Sequence, residues 1–298
     1  MARSAATDAA SGQNYPPGAL YVVATPIGNL ADITLRALHV LDLAQTIACE
    51  DTRHTQTLLR AYGIDKPGSQ LLAVHQHNEA QAAQTVIERL RQGQRVAYAS
   101  DAGTPAISDP GARLVAAVRE AGWPVVPLPG ASSVTAALSV AGIVQEGGQF
   151  VFAGFLSSKA TERALEVAAL AQEARAVVLL EAPHRIEALA TALAILGERR
   201  LTIGRELTKQ FEEIATITAR TFPDWLGAQA HRCRGEFVLV LHPVCVATDA
   251  GSEQRILKLL LAELPLKTAV KLTADITGAS RNALYDAALE LKKDGADR

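Results

Sequence analysis

The sequence predicts an α/β protein of two sheet-and-helix domains followed by a C-terminal helix-turn-helix appendage, and three observations predict it. Short β-rich apolar runs alternate with helical segments from residue 20 onward, the pattern of a mostly parallel sheet covered on both faces. Two loops of small residues, Ser-Asp-Ala-Gly-Thr-Pro-Ala-Ile-Ser-Asp-Pro-Gly ending at Gly111 and Pro-Leu-Pro-Gly-Ala-Ser-Ser ending at Ser133, each follow such a run. Bare backbone there can approach a ligand closely, at the sheet edge where open α/β folds bind theirs. Beyond residue 253 the chain turns helical, with a Thr-Gly-Ala-Ser turn at 277–280 between two helices.

The first 17 residues mix small and polar types and end in Tyr15-Pro-Pro, which predicts a flexible leader. A first domain over 18–128 then takes strands at 20–24, 46–49, 71–74, 95–99 and 125–128. Its helices include 79–92, with Asn78 as N-cap and Gly93 past the end, and one that starts at Asp109-Pro110 and stops at Gly122. A second domain over 129–245 takes strands at 150–152, 176–180, 201–204, 213–218 and 236–241, with helices at 161–174 and 184–196. Little helix separates its last strands, so an antiparallel portion is expected. Residues 243–253 form a linker by their Pro, Thr, Asp, Gly and Ser content, and 246–298 hold the appendage, with helices at 254–264, 266–276 and from Ser280 to about Lys292. Between Leu266 and Tyr285 the charges are Lys267, Lys271, Arg281 and Asp275, a modest basic face suited to phosphate.

With 298 residues and 49% hydrophobic content the chain can fill one large or two medium cores. No apolar run reaches the roughly 18 residues needed to span a bilayer. The leader lacks the apolar centre of a signal peptide, so a cytoplasmic location without membrane attachment is expected. Cys49, Cys233 and Cys245 lack the spacing of a zinc knuckle, and His75-Gln-His77 has no carboxylate at ligand distance in sequence, so no metal is expected. A net charge of -2 is uninformative about nucleic acid, since a protein with a broad phosphate footprint is usually basic, and any RNA role must rest on local patches.

Neither Gly-x-Gly-x-x-Gly nor a Gly-x-x-x-x-Gly-Lys phosphate loop occurs. Thr25-Pro-Ile-Gly-Asn-Leu30 leaves the first strand as a turn that places Gly28 against a ligand or simply joins strand to helix. Asp101 either meets a ribose or amine or closes an Asx turn, and of Ser132 and Ser133 one caps a helix and the other is left for a ligand. Three polar clusters, Glu50-Asp-Thr-Arg-His54, Glu181-Ala-Pro-His-Arg185 and Arg205-Glu-Leu-Thr-Lys209, each end a predicted strand. One alone would be a surface ion pair; three at equivalent edges point to substrate.

Taken together, Thr25-Pro-Ile-Gly-Asn-Leu, Glu50-Asp-Thr-Arg, His77-Asn78, the two small-residue loops, Phe152-Ala-Gly-Phe-Leu, Pro183-His-Arg and Arg205-Glu-Leu-Thr-Lys resemble the bacterial ribosomal RNA small subunit methyltransferase I family, over about 20–241. The tail is similar to that family's helix-turn-helix appendage. Ser157 stands where the family pattern has proline, and the leader is extra. The resemblance implies a tetrapyrrole methylase-like fold, a homodimer, S-adenosylmethionine between the two domains, and 2'-O-methylation of a cytidine in the decoding region of 16S ribosomal RNA. It puts Pro26, Gly28, Asp101, Ala102, Gly103, Thr104, Ala106, Ile107, Ser132, Ser133, Phe155 and Leu156 around the cofactor. Asp51, Glu181 and Glu206 are the candidate general bases. Arg53, His77, Asn78, His184, Arg185, Arg205 and Lys209 are the candidate RNA contacts, the cations suiting phosphate or a developing alkoxide. The competing readings are a small-molecule, tetrapyrrole-type methyltransferase and an S-adenosylmethionine-sensing nucleic-acid-binding regulator.

Overall fold

A computed structural model describes residues 2–75, 78–107, 111–144, 148–244 and 250–296. The first sheet is wholly parallel, in the order β3 (Leu71–Ala73), β2 (Thr46–Cys49), β4 (Val96–Ala99), β1 (Leu20–Val23), β5 (Val125–Leu128). Period-two alternation sends Tyr21, Val23 and Ile47 to one face, where they meet Leu38 and Leu41 of α2 (Leu35–Leu43). Leu20, Ala48 and Val96 go to the other, against Val86 and Leu90 of α4 (Glu79–Arg91) and Leu114 and Val118 of α5 (Gly111–Glu120). Burial on both faces explains why these strands are continuous apolar runs.

The second sheet has the order β6 (Phe150–Gly154), β7 (Ala176–Glu181), β10 (Phe237–Leu241), β8 (Arg200–Arg205), β9 (Glu213–Thr218). Only β6 and β7 pair in parallel; β7–β10, β10–β8 and β8–β9 are antiparallel. One face packs Val177, Leu179 and Leu239 against Ile186, Leu189 and Leu193 of α8 (Ile186–Leu193). The other packs Val178, Val238 and Val240 against Val134, Ala137 and Ala141 of α6 (Ser133–Ala141), the helix that follows the last strand of the first sheet. The chain thus passes from one sheet to the other through 129–132. Arg199, buried among α7 (Ala160–Ala171), β8 and β10, donates to the carbonyls of His242, Leu170, Glu173 and Arg175 at 2.6–3.2 Å, which ties this domain's far end together.

Two expectations fail. The leader is not a loose arm: α1 (Ala2–Ala10) packs on α2, with Ala6, Ala10 and Tyr15 buried in the first core and Arg3 paired to Asp42 at 2.9 Å. Ala-spaced small residues allow that close approach, and tertiary packing overrides a composition typical of loops. The linker is shorter than predicted, because α10 (Ala250–Glu263) starts four residues before residue 254. With α11 (Leu266–Thr277) and α12 (Arg281–Ala296) it encloses a small core of Leu257, Val270, Ala274, Leu284 and Ala288 that shares no residue with the others. Gly278, at φ 74, ends α11 in the left-handed conformation that makes the turn. Among the described residues no helix is long and apolar enough to cross a membrane.

Candidate functional site

The carboxyl ends of β1, β4 and β5 carry the small-residue loops, and hydrogen bonds pin these to one another. Thr25 and Gly103 exchange backbone bonds of 2.9 and 3.1 Å, Thr25 Oγ1 donates to the Ser100 carbonyl at 3.1 Å, and Thr104 Oγ1 donates to the Ala131 carbonyl at 3.0 Å. Gly103 has φ 83, and Gly130 lies so close to β1 that a Cβ would stand 2.8 Å from that of Ala24. Glycine is required at both, one for conformation and one for approach. The result is a cleft of about 310 Å³ between the two sheets, within the usual range for small-ligand sites.

Seven of the twelve expected cofactor residues line this cleft: Ala102, Gly103, Thr104, Ile107, Ser132, Ser133 and Phe155. Ser132 occupies the N-cap position of α6 without a capping hydrogen bond from its side chain. The other five do not line it. Pro26 is buried beside it, Gly28 lies under Lys209, and Leu156 is 6% exposed in the second core. Asp101 accepts the Asp51 amide at 3.3 Å and joins the β4 loop to the β2 loop. Ala106 has φ 67, one of three non-glycine residues at positive φ among the described residues; the others, Glu206 and Thr208, sit on the opposite rim. Each of the three lies next to a residue that lines the cleft, Ala106 beside Ile107 and Glu206 and Thr208 on either side of Leu207. Sequence reasoning missed Ile27, Val134, Leu180, Ala182, Pro183, Leu207, Glu236, Phe237 and Val238. Each adjoins a motif or strand end already singled out, so the signal was position rather than residue type.

The charged groups divide sharply. Lys209 bonds Glu206 at 2.9 Å and Glu236 at 3.0 Å, a carboxylate–ammonium–carboxylate bridge within the second domain, and its stem lies across Gly28 of the first, which brings the two domains together at this rim of the cleft. Burial pushes the Glu206 carboxyl up, but hydrogen bonds from Lys209 and the Glu236 amide and the charges of Lys209 and Arg205 outweigh it and hold it below its ordinary range. For Lys209 burial pulls down, and the hydrogen bonds to Glu206 and Glu236 win and hold the ammonium above its ordinary value.

The remaining candidates support the fold. Glu181 continues the Val177–Leu179 face of β7, turned to α8 and away from Leu180, which lines the cleft. It is buried, accepts the Ala182 amide at 2.9 Å and pairs with Arg185 at 3.1 Å, and Arg185 in turn donates to the Leu156 carbonyl. Asp51 caps α3 (Thr52–Ala61), accepting the Arg53 and His54 amides and pairing with the exposed Arg53 at 3.2 Å. Those hydrogen bonds, Arg53's first, hold its carboxyl below the usual range. Arg205 is 5% exposed and spends its guanidinium on the carbonyls of Arg234, Phe211 and His231. Asn78 sits at the α4 N-cap position, but its side chain accepts the His75 amide and donates to the Ala73 carbonyl, folding the β3 loop on itself. His184 is exposed. His77 and Asp109 lie outside the described residues.

Residues 19–223 match the family of Tetrapyrrole (Corrin/Porphyrin) Methylases, and residues 247–292 match the RsmI C-terminal HTH domain. The chain is 51% identical over 279 residues to the ribosomal RNA small subunit methyltransferase I of Neisseria meningitidis serogroup B, with 92% of this chain and 94% of that protein covered. It is 45% identical to the same-named protein of Escherichia coli O157:H7, over 92% of this chain and 95% of the relative. Among solved structures it is similar to cobalt precorrin-4 methyltransferase, with TM-score 0.54 and 19% identity over 76% of this chain and 98% of that one. A uroporphyrin-III C-methyltransferase from Thermus thermophilus complexed with S-adenosyl homocysteine aligns at TM-score 0.50 and 15% identity, over 74% of this chain and 96% of that one. At such identities the last two establish the fold alone.

Proposed function

Because the chain belongs to the tetrapyrrole methylases and, within them, to the ribosomal RNA small subunit methyltransferase I family, we propose that it methylates the ribose 2'-oxygen of a cytidine in the decoding region of 16S ribosomal RNA, with S-adenosylmethionine as donor. The observation that carries this reading is the cleft itself: both small-residue loops of the first domain and the Glu206–Lys209 turn of the second converge on it. The donor set fits the cofactor. Gly103 and Ala102 offer bare backbone, Thr104 and Ser132 offer hydroxyls, and Ile27, Val134, Leu180 and Val238 offer an apolar wall for a purine ring. When bound, S-adenosylmethionine supplies a methyl group made electrophilic by its sulfonium.

The chain's own work is positioning, exclusion of water and management of one proton. Of the three candidate bases, Glu206 alone stands at the rim, and we assign it that role. Paired with Lys209 it is a weak base. A phosphate or alkoxide that draws the Lys209 ammonium toward itself raises the proton affinity of Glu206 as the ribose hydroxyl gives up its proton. Glu181 and Asp51 hold Arg185 and the start of α3, and Arg205 is a positioning residue rather than a phosphate contact. Division of the chain at 128/129 and 245/246, a homodimer, a cytoplasmic location and docking of the C-terminal helices on folded RNA complete the reading. Labelled methyl transfer to small ribosomal subunits that lack the modification tests it. Label on one cytidine 2'-oxygen is expected, and cofactor binding with no RNA label would replace it by a small-molecule methyltransferase or an S-adenosylmethionine-sensing regulator. Within that assay Glu206→Gln lowers kcat by about 10²- to 10⁴-fold with cofactor affinity kept; unchanged turnover would remove Glu206 as the base.

A further inference from the structure

A second cavity, of about 780 Å³, opens behind the Glu206–Lys209 rim, between the 206–213 turn and the 231–235 loop. It shares a wall with the cleft: Glu206 donates its amide to the Glu236 carbonyl at 2.9 Å and receives the Glu236 amide on its carboxyl at 2.8 Å, and Glu236 lines the cleft on the other side. The cavity is built rather than incidental. Buried Arg205 reaches both of its walls, holding the Phe211 carbonyl from one and the His231 and Arg234 carbonyls from the other, which fixes their separation. Arg232, stacked 4.2 Å from the Trp225 ring centroid and paired with Glu213 at 2.7 Å, fixes the second wall again. Gly235, at φ 88, passes so close to the Glu206 carboxyl that no side chain fits there.

Into this rigid frame projects Phe211, 68% exposed, an aromatic ring without a packing partner in the cores of the chain. The acids of the cavity are engaged within the protein. Glu206 takes Lys209, Glu212 accepts the Thr208 amide at 2.6 Å, and Glu213 takes Arg232. Arg234 is exposed and forms no ion pair among the described residues, so it is the cation left for a ligand. We propose that this cavity is a subsite for one nucleotide of the RNA substrate, adjacent to the nucleotide being methylated, with its base stacked on Phe211 and its phosphate held by Arg234. An exposed ring beside a guanidinium on fixed backbone is the arrangement by which unstacked bases are bound. The shared wall with the cleft makes the bound nucleotide a chain neighbour of the reacting ribose. The inference rests on the RNA methyltransferase reading and names a contact that reading leaves out.

The test uses the full-length protein, with methyl transfer to unmodified small subunits and, separately, anisotropy of a labelled single-stranded RNA. Phe211→Ala is expected to raise KM for subunits about five- to hundred-fold, the range found when a base loses its stacking partner, with the Kd for S-adenosylmethionine and Tm unchanged. Phe211→Trp should restore it and Phe211→Leu should not. Arg234→Ala should weaken RNA binding and reduce its salt slope by about one. Wild-type KM and RNA affinity in Phe211→Ala would overturn the proposal, as would full rescue by leucine. A change of oligomeric state in place of a change in KM would overturn it too and assign the ring to contact between copies. If the wild-type protein left subunits unlabelled while RNA affinity still fell with Phe211→Ala, the subsite would stand and the methylation reading would fall.

Discussion

Gly28→Ala is the substitution whose effect follows most directly from the geometry. A methyl group on Gly28 would overlap the Lys209 Cγ and lie 3.1 Å from both the Lys209 Cε and the Thr208 Oγ1. Carbon–carbon contacts settle near about 3.5–4.0 Å, so the lysine stem must retreat by about 1 Å or more. Its bonds to Glu206 and Glu236, now 2.9 and 3.0 Å, then leave hydrogen-bond range unless the ammonium finds a new path. Glu236 is 74% exposed, which limits the value of its bond. The two pairs and the steric relief together cost about 1–2 kcal/mol, a Tm decrease of roughly 2–8 °C for a chain of this size. Activity should suffer more, because a misplacement of about 1 Å costs on the order of 10²-fold in rate. The assay is labelled methyl transfer to unmodified subunits, with Tm and cofactor affinity measured on the same preparation. Lys209→Ala, which removes the Cγ that the new methyl group would meet, serves as the partner in a double-mutant cycle. If the glycine acts through the lysine, Gly28→Ala in the Lys209→Ala background adds little. Full additivity, or wild-type kcat in the single variant, would refute the reasoning.

Three further outcomes are expected. Arg199→Met leaves the carbonyls of His242, Leu170, Glu173 and Arg175 without their donor and should lower stability by about 3 kcal/mol or more, read by urea unfolding. Burial, then the charges of Arg200 and Arg199, lowers the pKa of His242, whose Nε2 lies 2.8 Å from the Thr202 hydroxyl. The unfolded chain binds that proton more readily, so this contribution is intact above the ordinary value of 6.5 and is lost as pH falls below it toward the folded pKa. Tm should decline from pH 7 to pH 5, and His242→Gln should flatten the decline; an equal slope in the variant removes His242 as its source. Truncation after Val246 deletes a helical unit with its own core, so S-adenosylmethionine binding and Tm should persist while methylation of assembled subunits falls. Equal activity of the truncated chain would deny the tail a docking role.

The ten strands were legible because each is a run of β-branched or apolar residues bounded by glycine, proline or a polar cluster. The antiparallel character of the second sheet was legible as well, from the absence of a helix between β8 and β9 and from the shortness of the segment before β10, which holds only the six-residue α9 (Phe222–Gly227). Its order was not, since pairing β10 between β7 and β8 depends on contacts far apart in sequence. The α1 helix was hidden for a related reason, as Ala6 and Ala10 become core residues only once α2 is beside them. At the cleft, glycine, serine and threonine in the small-residue loops announced themselves by type. Leu180 and Val238 did not, because a strand residue that faces a ligand looks like one that faces a helix. The arginines and carboxylates were the hardest. Arg205 and Lys209 stand in one five-residue motif, yet only the fold reveals that the first is consumed by backbone carbonyls and that the second packs on Gly28 of the other domain.

The passage of the chain from the first sheet to the second runs through the wall of the cleft itself, where Thr104 grips the Ala131 carbonyl just before Ser132 and Ser133. A boundary between domains is ordinarily the safest place to cut, insert or graft. Here it is the least safe: a protease nick at 129–132, or a chimera joined there to a relative's second half, would sever the tether and breach the ligand wall in the same stroke. Each half of the chain therefore carries an incomplete site, and exchange between relatives is constrained to transfer both halves together.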